Sequence, residues 1–179
     1  MKLVAISGSL RKESLNTQLG HLMITAAGGR VQVELSTLHG IPLYNGDDED
    51  ASGIPEAVTE LRERIKASDG LILITPEYNA GMPGVLKNAL DWLTRPGSEM
   101  RPTFGLRPTA LAGATPGNWG TALAQSSALI NLRQLGVDLF PDYLRVSRAD
   151  QLLRPDAIDD KLGDQVKNWL DAFVRYIKK

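Results

Sequence analysis

Residues 3–16 read LVAISGSLRKESLN, an apolar run that changes abruptly into a turn of small and hydrophilic residues. The same arrangement recurs in LILITPEYNAGMPG at 71–84 and in TALAGATPGNWG at 109–120. Unbroken apolarity is typical of strands that are covered on both faces, as parallel strands in α/β proteins are. Each turn precedes a stretch with helical periodicity, so the pattern predicts strand–helix units around a parallel sheet.

Two weaker strand candidates complete the predicted sheet. VQVEL (31–35) and VDLF (137–140) alternate between apolar and polar residues, as half-exposed edge strands do. The three unbroken runs would therefore be central, with the second and fifth strands outside them. This distribution favours the strand order 2-1-3-4-5, one of the two common doubly wound orders. The sequence thus predicts a flavodoxin-like α/β fold, a three-layer sandwich with a five-stranded parallel sheet.

Glycine and proline mark the boundaries of the helices between these strands. Five helices are predicted: one that ends at Gly28, two that begin at Pro55 and Pro83, one from about Gly120 to Gly136, and a last one that carries Leu162 to Ile177. The acidic connection 40–53 and the Pro- and Gly-rich connection 95–105 are predicted to be loops.

The composition indicates one globular domain over residues 1–179. Apolar residues make up 42%, charged residues 23%, and the formal net charge is −1. This balance favours neither a nucleic acid nor a membrane as partner, and a cytoplasmic protein is expected. The chain has no cysteine and two histidines, which argues against disulfides, thiolate or histidine metal sites and a cysteine nucleophile. Because residues 47–50 lack the spacing of a calcium loop, we interpret them as a solvated loop, and no metal is expected.

The first turn carries the donors that a phosphate monoester requires. Hydroxyl, amide and guanidinium groups come from Ser9, Arg11, Ser14, Asn16 and Thr17. The free N–H groups that open the following helix would add further donors. An alternative is that Ser14 or Asn16 only caps the helix. Neither G-x-x-x-x-G-K-[ST] nor G-x-G-x-x-G occurs, so a nucleotide triphosphatase or an ordinary dinucleotide-binding fold lacks its main signature.

The second and third turns have the composition expected around a flat ring. Prolines stiffen the second turn, and Gly81 and Gly84 permit a close approach of the backbone. Its alternative interpretation is a rigid strand-to-helix turn without a ligand. In the third turn, Trp119 is expected either against a ring or over the edge of the sheet.

Together, GSLRKESLN (8–16), PEYNAGMPGVLKNALDW (76–92) and GATPGNWG (113–120) resemble the NADPH-dependent FMN reductase family. That family includes quinone, azo-dye and chromate reductases with a flavodoxin-like fold. The resemblance implies noncovalent FMN, NADPH or NADH as electron donor, and two-electron transfer to a small acceptor such as a quinone, free FMN, an azo compound or chromate. It also implies a homodimer or a homotetramer.

The resemblance also implies which residues bind the cofactor. The FMN phosphate would be held by Ser9, Arg11, Ser14, Asn16 and Thr17, and the isoalloxazine would be lined by Pro76, Glu77, Tyr78, Asn79, Gly113 and Thr115. Many relatives carry serine where Thr115 stands, and the hydroxyl is kept. No catalytic side chain is expected, because the flavin itself performs the hydride chemistry. Donor and acceptor would use the same space in succession.

Two questions about partners stay open in the sequence. A flavodoxin-type one-electron carrier that binds FMN and docks to redox proteins is the alternative function, although the balanced charge and Arg11 favour the reductase. The fourth predicted helix is apolar almost all round, which indicates deep burial or contact with a second copy. The third predicted helix, which ends in Trp92 and Leu93, is a second candidate for such a contact, and the resemblance favours it.

Overall fold

A computed structural model describes residues 1–153 and 159–179 of the chain. The central sheet has the order β2-β1-β3-β4-β5, with β6 paired to β4, and each pairing is parallel. Its strands are β1 (Lys2–Ser7), β2 (Gln32–Ser36), β3 (Gly70–Ile74), β4 (Pro108–Ala114), β5 (Asp138–Leu139) and β6 (Leu144–Val146). The predicted flavodoxin-like fold and strand order are confirmed.

The fifth position in the sheet differs from the prediction of one strand at 137–140. Two short strands share it: β5 pairs with the beginning of β4, and β6 pairs with residues 112–114 at its end. After β5, the Phe140 N–H still donates to the Thr109 carbonyl at 2.9 Å. The next residue is Pro141, and a proline has no N–H group to continue the hydrogen-bond ladder. The chain therefore leaves the sheet and returns at Leu144.

Helices cover both faces of the sheet. Their bounds are α1 (Leu15–Ala27), α2 (Gly46–Ser52), α3 (Glu56–Lys66), α4 (Gly84–Leu93), α5 (Met100–Phe104), α6 (Ala122–Leu135), α7 (Ala149–Leu152) and α8 (Asp160–Ile177). Leu3 and Ala5 of β1 pack in one apolar cluster with α1 and α8, and Val4 and Ile6 pack in the other with α3, α4 and α6. Burial on both faces explains the unbroken apolar runs. In the described part of the chain, no helix is long and apolar enough to span a membrane.

The two connections that we predicted to be loops contain short helices, so that part of the prediction is wrong. Helix α2 lies in the acidic connection, and three acidic residues occupy its first turn, where the helix dipole favours negative charge. Glu49 accepts a hydrogen bond of 2.8 Å from Arg95 Nε, and this bond lowers the pKa of Glu49. The second connection carries a 3-10 turn at Gly97–Glu99 and then α5, whose Phe104 is fully buried.

Gly113 allows β4 to pack closely against its surroundings. A Cβ atom there would lie 1.8 Å from Thr121 Oγ1 and 2.6 Å from the Thr75 carbonyl oxygen. Because backbone must move to relieve the second contact, we expect Gly113→Ala to lower the free energy of unfolding by about 1–3 kcal/mol. Urea unfolding measures this loss.

The matched control for Gly113→Ala is Gly163→Ala, where an added methyl group meets nothing within 4 Å. Gly163 lies inside α8, so alanine there should raise stability by up to about 1 kcal/mol. Changes of the same sign in the two variants would contradict the packing role of Gly113.

Candidate functional site

The three turns converge at one edge of the sheet, at the carboxyl ends of β1, β3 and β4. A cavity of about 100 Å³ between them is lined by Ser9, Arg11, Ser14, Leu15, Asn16, Pro76, Glu77, Tyr78, Ala114, Thr115 and Pro116. Typical small-molecule pockets measure roughly 300–1,000 Å³. The cavity therefore accommodates one end of a nucleotide-sized ligand, and the remainder has to lie over its rim.

The first turn contributes polar residues to the lining of this cavity. The Gly8 N–H donates to the Ile74 carbonyl at 2.8 Å, which fixes the start of the turn beside the end of β3. Ser9 is buried, and its hydroxyl accepts a hydrogen bond of 3.3 Å from the Arg11 N–H. Arg11 also lines the cavity, and the residue is exposed. A cation at the rim and a hydroxyl beneath it are a suitable donor set for a phosphate monoester.

Ser14 and Asn16 connect this turn to the rest of the site. The Ser14 hydroxyl caps α1 by accepting hydrogen bonds from the Asn16 and Thr17 N–H groups, at 3.2 and 3.3 Å. The capping role considered for Ser14 is therefore present. The Asn16 amide donates to the Ala114 carbonyl at 3.0 Å and accepts from the Ala114 N–H at 2.9 Å. Asn16 thus ties the first turn to the end of β4.

Three of the predicted residues do not line the cavity. The Thr17 hydroxyl shares a hydrogen bond of 2.8 Å with the Ser7 hydroxyl, and Thr17 faces a separate cavity along β2 that contains both histidines. Gly113 lies within β4, where the absence of a side chain allows close packing against Thr121 and Thr75. Asn79 is exposed in the second turn, outside the cavity lining.

The second turn is a tight hairpin, which we call the Tyr78–Gly81 hairpin. Tyr78 and Gly81 exchange two backbone hydrogen bonds of 3.0 Å. Asn79 and Ala80 between them have φ values of 49° and 61°, the sign that a type I′ turn has at both central positions. Pro76 is buried, whereas Tyr78 is 50% exposed. The turn therefore presents an aromatic side chain and backbone groups to the solvent side of the cavity.

Glu77 has a role that the sequence pattern did not reveal. Its Oε2 accepts hydrogen bonds from the N–H groups of Leu123 and Ala124, at 2.9 and 3.1 Å. These groups belong to the first turn of α6, where a carboxylate is favoured by unpaired donors and by the helix dipole. Because the partners lie 46 and 47 residues away in sequence, no local motif could have indicated this contact.

The third turn is fixed by contacts with the segment after β6. Thr115 Oγ1 accepts from the Gly117 N–H at 3.2 Å, and the Gly117 carbonyl accepts from the Arg148 N–H at 3.0 Å. The Asn118 side-chain oxygen accepts from Arg148 Nε at 3.1 Å. Trp119 is 76% exposed, so it does not cover the edge of the sheet. Thr115 itself lines the cavity.

Some contributors to the cavity were not singled out from the sequence. Leu15, Ala114 and Pro116 line it, although they offer only apolar atoms and backbone groups. Pro116 lies within the third turn (113–120), so its position next to Thr115 could have indicated that it lines the cavity. Among residues 1–153 and 159–179, no group of three or more histidine, aspartate or glutamate side chains is arranged to hold a metal ion.

Comparisons with known proteins show what this chain is similar to. The sequence model described as NADPH-dependent FMN reductase matches residues 1–151. An NAD(P)H-dependent FMN reductase of Pseudomonas aeruginosa is 38% identical, with 100% of this chain and 96% of that protein aligned. A 2-hydroxy-1,4-benzoquinone reductase of a Burkholderia species is 35% identical over 97% of this chain and 92% of the relative. The solved structure of a flavoenzyme NAD(P)H:(acceptor) oxidoreductase of Paracoccus denitrificans superimposes with a TM-score of 0.86 at 35% identity, covering 99% of this chain and 97% of that one.

Proposed function

The chain belongs to the NADPH-dependent FMN reductase family, and from this membership we propose how its turns hold FMN and what it reduces. The protein is an oxidoreductase that uses FMN and NAD(P)H for two-electron transfer. FMN, when bound, would supply the two-electron hydride chemistry between NAD(P)H and the acceptor. The tasks left to the chain are binding, orientation and access.

The phosphate end of FMN is assigned to the first turn. The single observation that carries this proposal is the cavity lined by Ser9, Arg11 and Ser14, the last of which caps the N-terminus of α1. Arg11 supplies a charge-assisted donor, and the helix N-terminus favours an anion. Asn16 and Thr17 contribute by holding the turn through Ala114 and Ser7, in keeping with their hydrogen bonds.

The ring end is assigned to the second and third turns. Pro76, Tyr78, Asn79 and Thr115 would surround the isoalloxazine, with the backbone of the Tyr78–Gly81 hairpin directed at its polar edge. The half-exposed position of Tyr78 supports this placement, because the donor and the acceptor need an open side of the ring. Gly113 contributes through the close packing of β4 beneath the third turn.

We assign a quinone as the electron acceptor, since one relative is named for the reduction of a hydroxybenzoquinone. The test is NADPH consumption by the purified protein with FMN and benzoquinone. Oxidation that requires both additions, with parallel reciprocal plots, supports the proposal. A one-electron carrier would not oxidise NADPH on its own, so absence of turnover would favour that alternative.

A reductase that consumes NAD(P)H works where this donor is regenerated, so we place the protein in the cytoplasm.

A homodimer or homotetramer is proposed for the assembly. Leu123 and Ile130 lie seven residues apart on one face of α6 and are 53% and 79% exposed, although Leu132 on the same helix is buried. Exposed apolar residues at this spacing suit contact with a second copy. The third predicted helix was the other candidate, and its Trp92 and Leu93 side chains are buried in the core, so these two cannot form such a contact.

Sedimentation equilibrium tests the assembly. The unaltered protein should sediment as a dimer or a tetramer, and Ile130→Lys should shift it toward a smaller species, because a charge at the centre of an apolar contact is costly to desolvate. Lys substitution at exposed Ile24 on α1 is the matched control, and it should leave the mass unchanged. A monomeric unaltered protein would contradict the assignment of this face.

A further inference from the structure

The Tyr78–Gly81 hairpin is attached to helix α6 at both of its ends. Before the hairpin, the Glu77 carboxylate accepts two hydrogen bonds from the first turn of α6. After the hairpin, the Met82 N–H donates to Ser127 Oγ at 3.1 Å, about one turn further along the same helix. The two attachments fix the base of the hairpin, and its tip remains exposed.

The backbone conformation of the hairpin is one that depends on support from its surroundings. Asn79 and Ala80 both lie in the left-handed region, and for Ala80 this conformation is unfavourable because of its Cβ atom. Residues in sparsely populated conformations persist only where the surrounding structure determines them. The hydrogen bonds to α6 are part of that surrounding structure. The geometry of the hairpin thus depends on residues that flank it.

We propose that Glu77 is a positioning residue whose carboxylate, by capping α6, holds the Tyr78–Gly81 hairpin in place beside the flavin ring. This inference rests on the proposed function, because it takes the hairpin to face the isoalloxazine. The cap also couples two turns of the site, since α6 begins directly after the third turn. Glu77 therefore acts on the ring end of the cofactor site, whereas Arg11 acts on the phosphate end.

Titration of the apoprotein with FMN and with riboflavin, which lacks the phosphate, tests this role. Glu77→Ala should weaken both ligands by the same factor, about three- to tenfold, since losing a helix cap reduces the population of the correctly placed hairpin. Glu77→Gln keeps an oxygen that can accept the same hydrogen bonds, and its affinities should stay within about twofold of those of the unaltered protein. Glu56→Ala, which removes an acid from the first turn of α3 away from the site, should leave both affinities unchanged.

Unchanged affinities in Glu77→Ala would overturn the inference, as would a loss confined to FMN, which would place Glu77 at the phosphate end. Circular dichroism checks that each variant is folded. Should Glu77→Ala fail to fold, Ser127→Ala removes the second attachment and must weaken both ligands equally. Failure of the unaltered protein to bind FMN would contradict the proposed function. This outcome differs from a failure of the inference about Glu77, in which the unaltered protein binds FMN and the variants bind it equally well.

Discussion

Replacing Arg11 with alanine is expected to weaken FMN binding by about ten- to a hundredfold. A hydrogen bond to a charged group contributes roughly 1.5–3 kcal/mol, and about 1.4 kcal/mol corresponds to a factor of ten in affinity. Arg11 is the cation that lines the cavity between the three turns, and it stands beside the Ser9 hydroxyl. The measurement is the dissociation constant of FMN from the apoprotein, followed by flavin fluorescence.

The adjacent residue provides the control for Arg11. Lys12 carries the same charge and is exposed, but it does not line the cavity. Lys12→Ala removes the same long-range attraction, so the difference between the two variants isolates the local contact of Arg11. Riboflavin affinity should be unchanged in Arg11→Ala. Equal effects of the two substitutions on FMN would remove Arg11 from the phosphate site.

The largest loss of stability is expected from Asn16→Ala, about 2–6 kcal/mol in the free energy of unfolding. Asn16 is 4% exposed, and its side chain hydrogen-bonds both the N–H and the carbonyl of Ala114. Alanine leaves two buried backbone groups without partners, and each such group costs roughly 1–3 kcal/mol. Urea unfolding of the apoprotein, followed by circular dichroism, measures the loss without a contribution from bound cofactor.

Asn118→Ala is the control for Asn16→Ala. Asn118 belongs to the third turn, but it is exposed and its side-chain oxygen accepts a hydrogen bond from Arg148 at the surface. Its replacement should cost less than about 1 kcal/mol, as is usual for exposed sites. Similar losses in the two variants would show that the bridge from Asn16 to Ala114 does not stabilise the edge of the sheet.

The central sheet could be predicted because each of its central strands is marked by its own short run of apolar residues. Strands buried on both faces need continuous apolar residues, and residues 3–6 and 71–74 divide alternately between the two apolar clusters. The division of the fifth strand was not predicted, because the alternating pattern of VDLF ends before Pro141. After Pro141, no apolar run indicates β6. Helices α2 and α5 were missed because contacts distant in sequence stabilise them, such as the hydrogen bond from Arg95 to Glu49.

The site was predictable at the level of its three turns, because parallel strands bring their carboxyl ends to one edge. The roles of individual side chains in the site could not be inferred from the sequence in the same way. Asn16 has the type of a phosphate ligand, yet its amide contacts Ala114, 98 residues away. Glu77 likewise bonds to the first turn of α6. A side chain that closes a long-range contact leaves no periodic signal, so only the folded arrangement reveals it.

The most direct test of this cofactor placement is a crystal structure of the protein with FMN. The predicted result is one FMN per chain, with its phosphate hydrogen-bonded to Ser9, Arg11 and Ser14 and its ring beside the Tyr78–Gly81 hairpin and Thr115. The contradicting result is a flavin bound elsewhere, for example in the separate cavity along β2 beside His21 and His39, or a flavin whose phosphate makes no contact with the first turn.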